Sequence, residues 1–227
     1  MQHWYTKEGK ATVPYQGFPS VTTILGILDK PELDAWRAKV GPEYALKRQQ
    51  ESSNRGKTIH KLVENTIEGR EAKPDNEDQK EMLDGYSAWI KKYQPTNLES
   101  EVFVYSETHK YAGTLDIRCR LNGELWIIDT KTSRRIEPEY GLQLAAYEQA
   151  SYELIGEHAK TAILHLTPET QSHYRFKPTN DPLNVFLALR QVFAWQAISK
   201  EPRKHIESVF DGRYIMKKAL DKALAQA

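Results

Sequence analysis

Between residues 111 and 131 hydrophobic and polar positions alternate with the period of a strand, interrupted once. Leu115, Ile117, Cys119 and Leu121 fall on one face, and Thr114, Asp116, Arg118 and Arg120 on the other, because successive strand side chains point to opposite sides. Asn122-Gly123 then supplies the positive φ angles of a two-residue hairpin turn. Beyond it, Trp126, Ile128 and Thr130 share one face, and Leu125, Ile127, Asp129 and Lys131 the other. The run 125–128 is apolar on both faces, which predicts a central strand covered on both sides. After a polar loop at 132–138, the period changes to that of a helix over 139–155, with Tyr140, Gln143, Leu144, Tyr147 and Leu154 on one broad face.

The flanking segments extend this plan. Residues 1–19, with Gly9, Pro14, Gly17 and Pro19, read as a short arm or hairpin. Ser20 caps a short helix over 20–28, and Pro31 opens a second one. Ile59, Leu62, Val63 and Ile67 make a helical stripe, and residues 68–79 a polar surface loop. A further helix over 80–93 carries Met82, Leu83, Tyr86, Trp89, Ile90 and Tyr93. A strand at 99–105 and a second hairpin at 161–166 and 172–177 enlarge the sheet. Leu183, Phe186, Leu187, Phe193 and Ala194 mark a helix after Asp181-Pro182, and residues 205–227 predict a final one. The fold class expected is α/β (α+β): a central mixed sheet flanked by helices.

The turn also fixes a register. A two-residue loop pairs Leu121 with Glu124, and counting back places Asp116 opposite Asp129, with Cβ atoms roughly 5 Å apart, and Thr114 opposite Lys131. Facing carboxylates repel. On an exposed hairpin they would be a solvated face with a compensating lysine. On a covered strand an unpaired aspartate is expensive, and a divalent cation offsets the cost, since Mg²⁺ is commonly held by one or two carboxylates with waters and phosphate oxygens. Lys131 is placed to hold or polarise a water. Relief of the repulsion predicts that Asp116→Ala leaves the fold intact or stabilises it.

Composition narrows the classes. The chain has 227 residues, 39% hydrophobic and 28% charged, enough to bury a core without signs of disorder. No apolar run is long enough to span a bilayer, and the first ten residues lack the apolar core of a signal peptide. The single cysteine, Cys119, allows no internal disulfide and no cysteine-ligated iron–sulfur cluster, which suits a reducing, cytoplasmic setting. The net charge of +1 gives no global nucleic-acid signal. Local clusters do: Lys47-Arg48, Arg55 with Lys57 and Lys61, Arg134-Arg135, and residues 200–204. Arginine pairs in a loop suit phosphate.

Three pieces in order, Gly113-Thr114-Leu115-Asp116, Asp129-Thr130-Lys131 and Gln143-Leu144-Ala145-Ala146-Tyr147, resemble the PD-(D/E)xK nuclease superfamily and, within it, the RecB-type exonucleases of phage and bacteria. That motif runs GxxD, then a strand ending in (D/E)xK, then a helix bearing QxxxY. Upstream, Arg55-Gly56-Lys57-Thr58-Ile59-His60 is similar to the family's RGxxxH context, and residues 20–25 to its N-terminal segment. The resemblance covers about residues 54 to 150.

It implies a restriction-endonuclease-like core with an N-terminal helical region, as a single nuclease domain over 1–227: arm and helices to 98, catalytic sheet and QxxxY helix over 99–177, C-terminal helices after that. It implies a metal-dependent DNA exonuclease of recombination, repair or phage DNA processing, acting on single-stranded or duplex ends, with a recombination or replication protein as partner. Asp116, Asp129 and Lys131 would be catalytic. His60, Asp116, Asp129 and the Thr130 carbonyl would hold one or two Mg²⁺ or Mn²⁺ ions, with Lys131 orienting and helping to deprotonate a water. Gln143, Tyr147, Arg134 and Arg55 would bind nucleic acid, the first two also positioning Lys131. Glu101, at the first strand, and Glu64, four residues from His60 on one helix face, are further candidates. An endonuclease or structure-specific nuclease fits the same residues. A non-catalytic nucleic-acid-binding module has no need for opposed acids.

Overall fold

The computed structural model describes residues 3–12 and 17–200, with side chains to residue 196. The predicted helix over 205–227 and most of the basic cluster at 200–204 lie outside the described residues. In chain order the elements are β1 (Trp4–Tyr5), β2 (Ala11–Thr12), β3 (Phe18–Pro19), α1 (Val21–Leu25), α2 (Pro31–Val40), α3 (Pro42–Ile67), α4 (Glu77–Tyr93), β4 (Thr96–Ser106), β5 (Tyr111–Leu121), β6 (Glu124–Lys131), α5 (Glu139–Ile155), β7 (Lys160–Leu166), β8 (Tyr174–Thr179) and α6 (Leu183–Lys200). No helix among the described residues is long and apolar enough to cross a membrane.

The main sheet has five strands in the order β4-β5-β6-β7-β8, with β6 at its centre. All neighbours are antiparallel except β6 and β7, which run parallel through the α5 crossover. This mixed sheet flanked by helices is a restriction-endonuclease-like core. The N-terminal arm makes a three-stranded sheet of its own, in the order β2-β1-β3.

Two apolar clusters cover the main sheet. On one face Val104, Leu115, Ile127 and Ile163 pack against Ile24 of α1, Leu144 and Tyr147 of α5, and Phe186 of α6. On the other, Ile117, Cys119, Ile128 and Leu164 pack against Ile59 and Leu62 of α3 and Met82, Tyr86 and Trp89 of α4. Burial on both faces is why 125–128 reads as a continuous apolar run.

Three expectations need correction. First, α3 begins at Pro42, well before its apolar stripe. Of its first four turns only Ala45 is buried, so no hydrophobic periodicity marked that part. Second, α4 begins at Glu77 because Asn76 caps it, its side chain accepting from the Gln79 N–H at 3.0 Å.

The third concerns the hairpin. Asn122 and Gly123 take φ of 52° and 83°, and the predicted register holds from Leu121↔Glu124 to Ile117↔Ile128. There it stops. Asp116 and Asp129 are not ladder partners, nor are Thr114 and Lys131. Instead the Asp116 carboxylate accepts the Thr130 N–H at 2.6 Å, a side chain standing where a strand carbonyl would be. The alternation of β5 also changes phase here: Leu115 packs on the α5 side and Ile117 on the α3–α4 side, so they do not share a face. On the adjacent strand Glu101 has φ 51°, a left-handed conformation rare in a non-glycine strand residue.

Gly113 explains its own place in this region. A Cβ there would lie 2.4 Å from Cε1 of the buried Tyr147 ring. Gly113→Ala is therefore expected to destabilise the fold by about 1–3 kcal/mol, the usual cost of overpacking. A urea midpoint equal to that of the unaltered chain would show that the ring steps aside freely.

Candidate metal centre

The interrupted ladder brings three elements together. His60 projects from α3, Glu101 from the kink in β4 and Asp116 from the break in β5. Each offers one ligand atom, and these atoms all lie within 4.8 Å of one another. His60 Nδ1 is 3.4 Å from Asp116 Oδ1. Glu101 is thus part of the cluster. From residue order alone it is no more than a strand-end candidate, because its approach goes with the positive φ of its own backbone.

Asp129 stands beside this cluster, 1% exposed. Its Oδ2 is 2.5 Å from the Lys131 ammonium, whereas its Oδ1 is buried and has no hydrogen-bond donor. An orphaned carboxylate oxygen costs on the order of 1–3 kcal/mol or more unless something meets it. The grouped ligand atoms are those of His60, Glu101 and Asp116 and do not include Asp129; an imidazole with two carboxylates suits a divalent cation, and one held there would also offset the unpaired Asp129 oxygen beside it. The Thr130 carbonyl faces the same gap as its N–H, since a strand residue presents both to one neighbour.

Lys131 is fixed on three sides. Beyond Asp129, its ammonium donates to Gln143 Oε1 at 3.2 Å and sits 4.8 Å over the Tyr140 ring. Gln143 Nε2 in turn donates to the Tyr147 hydroxyl at 3.0 Å. Gln143 is 8% and Tyr147 4% exposed, so what they offer is a hold on Lys131 and not a surface for phosphate. Arg55 donates to the Thr132 carbonyl at 2.9 Å. Arg134 is exposed on the following loop. Glu64 turns away from His60 and pairs with Lys61 and Arg70 at 2.7 and 2.8 Å. His165 was not anticipated: buried on β7 opposite Lys131, its Nε2 lies 2.6 Å from the Ser133 carbonyl and pins the same loop that Arg55 holds. An apolar strand with one histidine carries no signal of that role.

The electrostatics follow from burial against pairing. Burial opposes charging of His60, but the Asp116 carboxylate and then Asp129 raise its pKa to about 9. Asp116 is buried too, yet His60 and Lys131 hold its pKa below the usual carboxylate value. For Asp129 burial wins over Lys131, and with Asp116 nearby its pKa rises to about 6. Lys131 pays a burial penalty, but Asp129 and Asp116 keep its pKa above the ordinary lysine value. Partial desolvation and Asp116 raise Glu101. The Cys119 thiol, pushed up to about 12 by burial, is no nucleophile.

Asp116→Ala no longer looks harmless. It would leave the Thr130 N–H without its acceptor and His60 without its counter-charge. Asp116→Asn keeps an acceptor oxygen and is the cleaner change.

No family model matches the chain, and no curated protein matches it. Solved structures do. A candidate exonuclease from Eubacterium rectale is similar over 63% of this chain and 66% of its own, at 15% identity and TM-score 0.47. The chain thus spans just under two thirds of that protein. SSO0001 is similar at 18% identity and TM-score 0.44, over 84% of this chain and 83% of its own. An alkaline exonuclease from Laribacter hongkongensis is similar at 10% identity and TM-score 0.39, over 74% and 84% of the two chains. At such scores the likeness assigns no activity to this chain.

The cluster has a pH signature. The folded pKa of His60, about 9, lies above its ordinary value of 6.5, so its stabilising contribution is complete below 6.5 and disappears as pH rises to about 9. Without metal, the melting temperature should fall over that window. Added Mn²⁺ or Mg²⁺ at pH 8 should raise it, by about 2.7 kcal/mol of stability at a hundredfold excess over Kd. Asp116→Asn should flatten the pH dependence. Calorimetry with and without metal checks all three, and a flat profile in the unaltered chain would contradict the pairing.

Proposed function

We propose that the chain is a metal-dependent DNA exonuclease of the PD-(D/E)xK type, hydrolysing phosphodiester bonds in recombination, repair or phage DNA processing. The observation that carries this reading is the buried Asp129 carboxylate, one oxygen against Lys131 and the other unpartnered, beside the His60–Glu101–Asp116 cluster. A binding module gains nothing from that arrangement, which costs stability.

Asp116, Asp129 and His60 would hold Mg²⁺ or Mn²⁺, with the Thr130 carbonyl and Glu101 at the edge of the same site. Such a cation, one or two in number, supplies charge neutralisation at the phosphate and a water of lowered pKa. The chain's own residues do the rest. Lys131 stays protonated between Asp129 and Asp116, so in this arrangement it donates: it orients a water and stabilises charge developing on the phosphate oxygens. Gln143 and Tyr147 keep the ammonium in place, and Tyr140 covers it. Arg134 is free to meet backbone phosphate, while Arg55 shapes the loop that presents it.

Purified protein with Mg²⁺ and end-labelled linear DNA should release nucleotides and leave a circular control intact. Asp116→Asn and Lys131→Ala should each lower the rate by about 10²–10³-fold, the usual loss for one electrostatic contact to a developing charge, with melting curves still cooperative. Equal cutting by either variant overturns the assignment. Cutting of the circle makes it an endonuclease on the same core.

A further inference from the structure

The cleft between α2, α3 and the loop at 132–137 has a volume of about 990 Å³. The chain links it to the candidate metal cluster: Ser133 and Arg55 line it, Arg55 also grips the Thr132 carbonyl, and Lys131 is the residue before that. Five arginines line it against two glutamates. Arg48 comes from α3, Arg134 and Arg135 from the loop, and Trp36 from α2.

We propose that this cleft admits a single-stranded DNA end, with Trp36 stacking on a base while Arg48, Arg134 and Arg135 hold the phosphates on the way to Lys131. The inference deepens the nuclease reading and rests on it.

Three observations carry it. The first is size. A cleft of this volume is at the scale of a pocket for one drug-sized ligand. It has room for a few nucleotides of one strand and not for a duplex, whose major groove alone is about 12 Å wide. The second is the pairing of surfaces. Sites for single strands combine a cationic track along the backbone with an aromatic face for the bases, and here Trp36 faces the arginine-bearing helix and loop across the cleft. The third is the way α2 is held. None of its residues is buried. It is tied down at its start, by Lys30 to Glu139 at 2.5 Å and by Glu32 to Arg135 at 3.2 Å. A tryptophan on such a helix is not there to fill a core. The ion pairs lining the cleft are exposed and exchangeable for phosphate: on α3 Arg48 meets Glu51 at 2.7 Å with both side chains about half exposed, and on the loop Arg134 has no ion-pair partner among the described residues.

The test uses the full chain in EDTA, so that nothing is cut. Binding of a short fluorescein-labelled oligodeoxythymidine and of a blunt DNA hairpin is followed by anisotropy. The single strand should bind more tightly than the hairpin. Trp36→Ala should weaken single-strand binding roughly tenfold, within the range for one lost base stack, and Trp36→Phe should restore most of it, which a merely structural role would not require. Arg134→Ala should reduce the salt slope by about 0.7, one phosphate on a single strand. Circular dichroism melts confirm that each variant folds. Unchanged affinity in Trp36→Ala, no rescue by phenylalanine, or a hairpin bound as tightly and weakened equally overturns the proposal. If that happens while Lys131→Ala still lowers Mg²⁺-dependent hydrolysis by the expected factor, the path is wrong and the nuclease reading stands. If neither DNA binds and none is cut, both fall.

Discussion

The site depends on one hydrogen bond, from the Thr130 N–H to the Asp116 carboxylate. In an unbroken ladder that N–H would meet a backbone carbonyl of β5, and the two strands would stay zipped to their ends. With a side chain as acceptor, β6 parts from β5 while its backbone donor remains satisfied, so the break leaves no orphan N–H. The tip of β6 keeps its other neighbour, with Thr130↔Leu164 and Lys131↔His165 on β7. The opened wedge is where His60 enters from one layer and Gln143 and Tyr147 from the other. A closed ladder would have kept those two layers apart, on opposite sides of a covered strand.

The charges in the wedge depend on one another. Asp129 is buried enough that its pKa rises to about 6, yet it holds Lys131 protonated. His60 is held protonated by Asp116. Asp116 and Asp129 therefore balance His60 and Lys131, with Glu101 as a third acid at the exposed edge of the group. Breaking any one pair strands a charge, and a stranded buried charge costs several kcal/mol where the pair itself adds little. The balance also limits metal choice. A cation entering the cluster must displace the His60 proton, so affinity rises with pH, as for any site with a basic ligand.

Much of this was legible. Asn122-Gly123 announced the hairpin because few other dipeptides accept two positive φ angles, and the helix over 139–155 coincides with α5 because its apolar face is broad and Gly156 ends it. The break at Asp116 was not legible, for a physical reason. Counting register outward from a turn assumes an unbroken ladder, and hydrophobic alternation gives no warning, since Leu115 and Ile117 are apolar whichever face each takes. Gly113 is the same case: its missing side chain makes room for Tyr147, thirty-four positions later, a contact that no local window contains. The first half of α3 was missed because it is exposed apart from Ala45, and an exposed helix carries no apolar stripe.

That polar half of α3 nonetheless has a structural consequence. One helix carries both the imidazole of the candidate metal cluster and two of the five arginines of the neighbouring cleft, Arg48 and Arg55. At a rise of about 1.5 Å per residue, Arg55 stands ~7.5 Å from His60 along the axis and Arg48 ~18 Å. A helix cannot shorten these intervals by rotating a loop. The loop opposite is pinned from two sides as well, by Arg55 on the Thr132 carbonyl and by His165 on the Ser133 carbonyl. Distances between cluster and cleft are therefore set by backbone geometry, whereas α2, with nothing buried, is held to its neighbours by polar contacts alone: Lys30 to Glu139, Glu32 to Arg135 and Arg37 to Gln49. On the proposed path, the α3 wall would hold its arginines at fixed intervals from His60 whatever the base sequence, while α2 would supply the stacking face of Trp36.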